Sequence, residues 1–334
     1  YAPREKMPPD YFPGSYLNVL NVILAATLPK SLTIDFESYS QTAKRLNYKR
    51  GRPFIIGSAN SNDRQNFEIA FAVESGERVI RTQHGADYGT MANCVNEWMA
   101  EYIYSGFITW GWEKHNDREG NFIPLPSPLL SQHHNKYKGG TDKIIFVGTR
   151  ILLQLCHIDV LPPPGSVKTY IGNKIQFMSS LNKKHLNRFY YRPYMRSHND
   201  FADHSIICSH FPEIKLHSGN LIADAMACDL LVLDHAGTTL NFALAANIPI
   251  VCIWEPKLYP PAQEAKKYFE ALKDANILFD DPVEAGQHIN ALDGDTLTWW
   301  LRPNVRIAVA QWRQKFALSS TDWRKDWLRK ITKI

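Results

Sequence analysis

The chain has 334 residues, 44% of them hydrophobic and 21% charged, with 38 basic against 33 acidic side chains and a net charge of +5. These proportions exclude a disordered or fibrous chain, and so small a positive excess excludes a nucleic-acid coat while suiting phosphate-bearing ligands or an anionic membrane surface. Two domains are the expectation at this length, and five cysteines without CxxC or Cys/His ligand spacing (Cys94, Cys156, Cys208, Cys228, Cys252) imply a reducing compartment.

In chain order, the sequence opens at Tyr1 on a Pro-rich segment, with residues expected before it. Residues 16–28 read as a helix, and the apolar stretch 19–28 within it is about half of what a membrane span needs, so a soluble or peripheral protein is expected. Short β-like runs then alternate with helical ones at 54–57, 62–74, 78–83, 91–102 and 107–110. Such alternation predicts βαβ units and a parallel sheet. From 113 to 142 the pattern is lost in Asn, Pro, His and Gly, and a boundary is expected there, giving a first domain over 1–128. The alternation resumes at 143–147, within 167–186, and at 188–191, 214–216, 221–226, 230–234, 239–246 and 249–254, predicting a second Rossmann-like domain over 140–303. The last 70 or so residues read as helices at 262–273, 282–292, 304–316 and 322–331, with 304–334 expected to pack back on the first domain or to lie on a membrane.

Residues 229–254 are the most specific segment: a buried strand ending in Asp234 and His235, a turn of Gly237, Thr238 and Thr239, an Ala-rich helix, and a strand opened by Pro249. That order brings free backbone N–H groups, two hydroxyls and the positive end of a helix dipole to one place, which suits a phosphate. Simple capping by Thr238 is the plainer role. Upstream, Arg192 ends a strand just before Pro193 and Tyr194, where a guanidinium can fork onto a phosphate or carboxylate or simply face solvent. Earlier, a strand runs into Gln83-His84-Gly85-Ala86-Asp87-Tyr88-Gly89. His and Asp suit proton transfer or nucleophilic attack, and glycine lets a substrate approach, although the same residues also build turns. A further strand closes on Trp110-Gly111-Trp112, and between these two segments Glu97 and Glu101 lie four apart on one helical face. His133 and His134 lack a third ligand at matching spacing, so a solvated loop is expected there and no metal.

Taken together and in order, QHGADYG, FITWGW and DHAGTTLNFALAANIPIVCIW resemble a transferase family of bacterial O-antigen and capsule loci, over residues 78–255. The last segment is also similar to the nucleotide-sugar site of GT-B glycosyltransferases and of polyol-phosphate transferases, and the three motifs together resemble, more distantly, the β-Kdo transferases. The resemblance implies an α/β fold of the GT-B type, two Rossmann-like domains facing across a cleft, with a nucleotide-sugar donor in the second domain, an acceptor in the first, and no metal or other cofactor. Carried over by position, Arg192, Tyr194, Asp234, His235, Gly237, Thr238 and Thr239 would hold the donor, with Tyr194 standing where the family usually has His. His84, Asp87 and Glu101 would be catalytic, and Gln83, Tyr88, Trp110 and Trp112 would contact the acceptor or sugar. Asp87 stands where many members have Gly and matches the Kdo branch, in which a carboxylate would attack the anomeric carbon.

The partners so implied are a nucleotide sugar, with a CMP-linked ulosonic acid such as Kdo favoured over a UDP- or GDP-hexose, and a glycan or lipid-linked saccharide acceptor. Trp323, Trp327 and Ile331 recur at helical spacing among Arg324, Lys325, Arg329, Lys330 and Lys333, which suits contact with the cytoplasmic face of the inner membrane. A CDP-alditol polyol-phosphate transferase and a non-catalytic nucleotide-sugar-binding subunit share the donor segment, but the paired His and Asp favour an enzyme.

Overall fold

The computed structural model describes residues 16–45, 53–57, 62–94, 102, 104–114, 119–153, 162, 165–194 and 200–333. The chain forms two compact units, Tyr1–Thr82 and Gln83–Ile334.

In the first unit, strands β1 (Phe54–Ile56) and β2 (Val79–Thr82) pair in parallel, with Phe54 opposite Val79. The connecting helix Asp63–Glu74 is capped by Asn62, whose side chain accepts from the Gln65 N–H at 3.2 Å. The rings of Phe36 and Tyr39 pack on Phe67 at 5.3 and 5.4 Å and join the helix Phe36–Lys44 to it.

The second unit opens with a parallel pair, β3 (Gly106–Thr109) and β4 (Phe122–Pro124). Strand β4 and the helical turn Pro128–Ser131 fall inside the 113–142 stretch read above as patternless, so that expectation is corrected. The strand is only three residues long and ends in a proline, which a strand end tolerates and a periodicity reading discounts. The principal sheet has six parallel strands: β5 (Thr141–Val147), β6 (Phe189–Arg192), β7 (Lys215–Leu216), β8 (Cys228–Leu233), β9 (Ile250–Ile253) and β10 (Leu278–Phe279). Their order is β10-β9-β8-β5-β6-β7. The chain therefore winds one way from β5 and the other way from β8, and the crevice beyond the carboxyl ends of that adjacent pair is where such sheets bind ligands. The parallel α/β architecture expected from the sequence is present. Strands β8 and β9, and β5 from Ile144 onward, are the nearly uninterrupted apolar runs that burial on both faces requires.

Helix ends follow local chemistry. The helix Thr238–Ala246 stops at Asn247, held at φ 69°, a left-handed cap that Asn tolerates. The Asn247 side-chain oxygen accepts from the Trp300 indole at 3.0 Å and from Arg306. The helices Val167–Ser180 and Pro282–Leu292 pack so closely that a Cβ on Gly286 would fall 1.8 Å from Ser180 Oγ.

His288 on the latter helix lies against Phe279 and Trp299, with ring centroids 5.3 and 4.9 Å away. Burial, with Arg302 adding to it, lowers its pKa to about 4. An unfolded histidine titrates near 6.5, so between about pH 6.5 and 4 the unfolded chain binds a proton that the folded one refuses. The stability His288 contributes is present above pH 6.5 and falls as the pH drops, by about 2 kcal/mol at this part-buried site. Urea titrations at pH 7 and 4.5 are expected to show a smaller acid loss for His288→Phe than for the unsubstituted protein.

Candidate functional site

The loop that follows Gln83 is built from the inside. Gln83 donates its backbone N–H to Ile108 on β3 at 2.8 Å. Its side-chain oxygen accepts from the Trp110 N–H (2.9 Å) and the Trp112 indole (3.0 Å), while its amide nitrogen donates to the Gly85 carbonyl (2.8 Å). Gly89 adopts φ +69°, and a Cβ there would stand 3.0 Å from the Trp112 ring. Tyr88 is buried beside Phe107, its hydroxyl 2.9 Å from His84 Nδ1. Finally, the Thr238 hydroxyl accepts from the Ala86 N–H at 3.2 Å. The three sequence motifs are therefore one interlocked assembly.

This geometry corrects one group of expectations. Gln83, Tyr88, Trp110 and Trp112 are 5, 2, 4 and 1% exposed. They offer a sugar no face, and their polar atoms hold the loop rather than an acceptor. Glu97 and Glu101 lie outside the described residues. His134 is also not the solvated residue expected: Nδ1 is 2.9 Å from Ser319 Oγ and 3.0 Å from an Arg313 nitrogen. Burial and Arg313 lower its pKa. His133 packs on Phe242 with ring centroids 5.2 Å apart. Among the described residues no group of three His, Cys, Asp or Glu is arranged for a metal ion.

A cavity of about 380 Å³ opens where the sheet order reverses. The end of β5 gives Gly148, Thr149 and Arg150, the end of β6 gives Arg192 and Tyr194, and the end of β8 gives Asp234 and His235. Gly237, Thr238 and Thr239 follow, and Asp87 faces the same space from the loop, whereas His84 is exposed and is not among the lining residues. The helix Thr238–Ala246 has Gly237 as its N-cap, which carries no side chain to cap it, and the Thr238 hydroxyl is turned to the loop. Its first N–H groups and its dipole are aimed at the cavity. Gly237 is required, since a Cβ would lie 2.6 Å from His235 Nδ1.

The arginines are held rather than loose. Arg192 donates to the Gly219 carbonyl (2.7 Å) and stands 3.4 Å from Asp224. Arg150 donates to Asp200 at 2.6 Å and lies over the Tyr194 ring, 5.9 Å from its centroid. Asp234 is buried, and its Oδ2 accepts from the Thr149 N–H (3.1 Å), from the Tyr170 hydroxyl and from Lys174 Nζ (2.9 Å). Asp234 Oδ1 and His235 Nε2 have no partner among the described residues. Unsatisfied buried groups of this kind are what a bound molecule completes.

Beneath the cavity sits Lys174, 1% exposed. Its ammonium also meets Asp203 at 2.6 Å and the Tyr191 hydroxyl at 3.0 Å. Burial works against its charge, but Asp234, the two tyrosine oxygens and Asp203 outweigh it and hold its pKa well above the ordinary lysine value. Burial and Asp234 raise the Tyr170 hydroxyl in the same way.

Sequence reasoning missed Thr149, Arg150 and Lys174. The first two carry a usable signal, since they directly follow a strand at the switch point. Lys174 carries none, being one lysine inside an amphipathic helix.

At the C-terminus, Leu318 donates to the Trp110 carbonyl (2.9 Å) and accepts from Ser127 (2.8 Å). The helix Trp323–Ile331 is tied down by the Trp327 indole, which donates to the Pro126 carbonyl at 2.8 Å. Among the described residues no helix is long and apolar enough to cross a membrane.

Among solved structures the chain is similar to TarM, at 11% identity and a TM-score of 0.48, covering 84% of this chain and 54% of that one. It is also similar to MurG of Acinetobacter baumannii, at 12% identity and 0.48, covering 95 and 80%. A third likeness is to WaaG, a glycosyltransferase involved in lipopolysaccharide biosynthesis, at 13% identity and 0.38, covering 91 and 96%. The chain thus spans about half the length of TarM. A search of curated proteins finds no match. The model of the LIC12162 family transferases matches residues 4–331, nearly the whole chain, and the protein belongs to that transferase family.

Proposed function

We propose that this transferase is a glycosyltransferase of the GT-B type, moving a sugar from a nucleotide donor to a glycan. The observation that supports it best is the cavity at the switch point, which gathers the open helix start at Thr238, the guanidinium of Arg192 and the carboxylate of Asp87. As the bond from the anomeric carbon to the donor phosphate oxygen breaks, its electron pair leaves on that oxygen. The helix N–H groups and Arg192 stabilise the charge that develops there. Asp87 supplies the opposing group, forming a bond to the anomeric carbon that the acceptor hydroxyl then displaces, with retention of configuration. His84, exposed in the same loop three residues before Asp87, is assigned to take the proton from an acceptor that enters from that side.

For the donor the reading is a CMP-linked ulosonic acid such as Kdo, since Arg192 serves a monophosphate or a sugar carboxylate. The acceptor is a surface polysaccharide or lipid-linked glycan. The outer face of the helix Trp323–Ile331 exposes Arg324, Lys325, Arg329 and Lys330 and suits anionic headgroups at the cytoplasmic face of the inner membrane.

The test is a thermal-shift screen of the purified protein against CMP, CDP, UDP and GDP, because a ligand that binds only the folded state raises its melting temperature. CMP is expected to give the largest shift, and Arg192→Ala to weaken that binding by about 10- to 100-fold, as loss of a charged phosphate contact does. A UDP or GDP response moves the reading to a hexosyl donor. A folded protein that responds to none of the four overturns it.

A further inference from the structure

Three elements that line the cavity are tied to one buried cation. The Lys174 ammonium has three N–H bonds to give and three acceptors: Asp234 at 2.9 Å, Asp203 at 2.6 Å and Tyr191 at 3.0 Å. Asp234 caps strand β8 directly before His235 and binds the Thr149 N–H beyond β5, while Tyr191 precedes Arg192 on β6. Gly148, in the cavity wall, lies directly on this group: a Cβ there would come 2.6 Å from Tyr191 Oη and 3.2 Å from Lys174 Nζ.

A buried charge cluster of this kind is poor evidence for a purely stabilising role, because apolar residues of the same volume usually serve stability as well or better. It also bears on the charge of the site. Arg192 and Arg150 already face Asp224 and Asp200, and Asp87 and Asp234 add two carboxylates to the lining. Asp203 is a further carboxylate, and the buried Lys174 ammonium beneath the wall offsets part of that excess where an anionic ligand would sit.

We infer that Lys174 is a positioning residue for the donor site: it fixes the ends of β5, β6 and β8 relative to one another and offsets the carboxylates beneath a bound phosphate. This rests on the donor-site reading above. Lys174→Met keeps the length of the side chain and removes the ammonium, and Tyr191→Phe removes one acceptor and no charge. Both variants and the unsubstituted protein are titrated calorimetrically with CMP, CDP, UDP and GDP, with near-UV circular dichroism and melting curves recorded alongside.

The expected result is a Kd raised at least tenfold in Lys174→Met and about threefold in Tyr191→Phe, for the nucleotide the unsubstituted protein prefers, at temperatures where each variant is folded. A lysine with a merely structural part would lower the melting temperature and leave Kd alone, and that result overturns the inference. Should Lys174→Met fail to fold, an unchanged Kd in Tyr191→Phe overturns it equally. If the unsubstituted protein binds none of the four, the donor-site reading falls and this inference with it, whereas unaltered binding in the variants removes the inference alone.

Discussion

Asp87→Ala is expected to lower the rate of sugar transfer by about a thousandfold or more while leaving the melting temperature within a degree or so. The magnitude is that of removing a covalent nucleophile, for which the rest of the site does not compensate. The stability side follows from what Asp87 contributes to the fold: its backbone carbonyl accepts from the Thr90 and Met91 N–H groups, which the substitution keeps, and its side chain faces the cavity. Donor affinity by calorimetry should change little, separating loss of chemistry from loss of binding. A small anion such as azide, entering the space the carboxylate leaves, should restore turnover and yield a glycosyl azide. A variant that keeps full activity removes Asp87 from the mechanism.

The second large effect is structural and falls on Gly111→Ala. Gly111 sits at φ +123°, and a Cβ would come 2.5 Å from the Gln314 carbonyl and 3.1 Å from that of Lys315. An L-residue is strained in that conformation whatever its surroundings, and here the added carbon also meets backbone that cannot swing aside. The C-terminal turn of the helix Pro303–Phe316 would have to lift from the turn that follows β3. A loss of about 3 kcal/mol is expected, or roughly 4–6 °C in melting temperature for a chain of this size. Because Trp110 and Trp112 hold Gln83, activity should fall as well, but only in proportion to the unfolding of the loop. Calorimetry gives the first quantity and a temperature series of initial rates the second.

Both substitutions lie in segments that stood out in the sequence, and they show what such prominence means. That Gly237, Thr238 and Arg192 gather around one cavity is legible because their placement is local: a strand end, a turn and a helix start fix where N–H groups and a guanidinium lie. The strands were legible because parallel central strands are buried on both faces and read as plain apolar runs. Trp110, Trp112 and Gln83 are equally conspicuous in sequence, where they suggest contact with an acceptor or sugar. A tryptophan beside a glycine looks the same in sequence whether it faces a ligand or packs over an interlocked loop, and only its non-local partners decide. Strand β4 escaped because three residues ending in Pro124 carry no period. Lys174 was invisible because its importance comes from Tyr191, Asp203 and Asp234, which reach it only after β5, β6 and β8 have assembled.

The hydrogen bonds of Leu318 have a consequence for how the molecule is made. This residue donates to Trp110 and accepts from Ser127, and its neighbour Ser320 donates its backbone N–H to the Ser131 hydroxyl at 3.1 Å. A segment near the end of the chain thus closes over the strand whose tip seats the Gln83 loop. On the ribosome, the loop and the helix beginning at Thr238 emerge well before that segment does. A nascent chain therefore holds every residue that lines the cavity before it holds Leu318 and Ser320, which brace them.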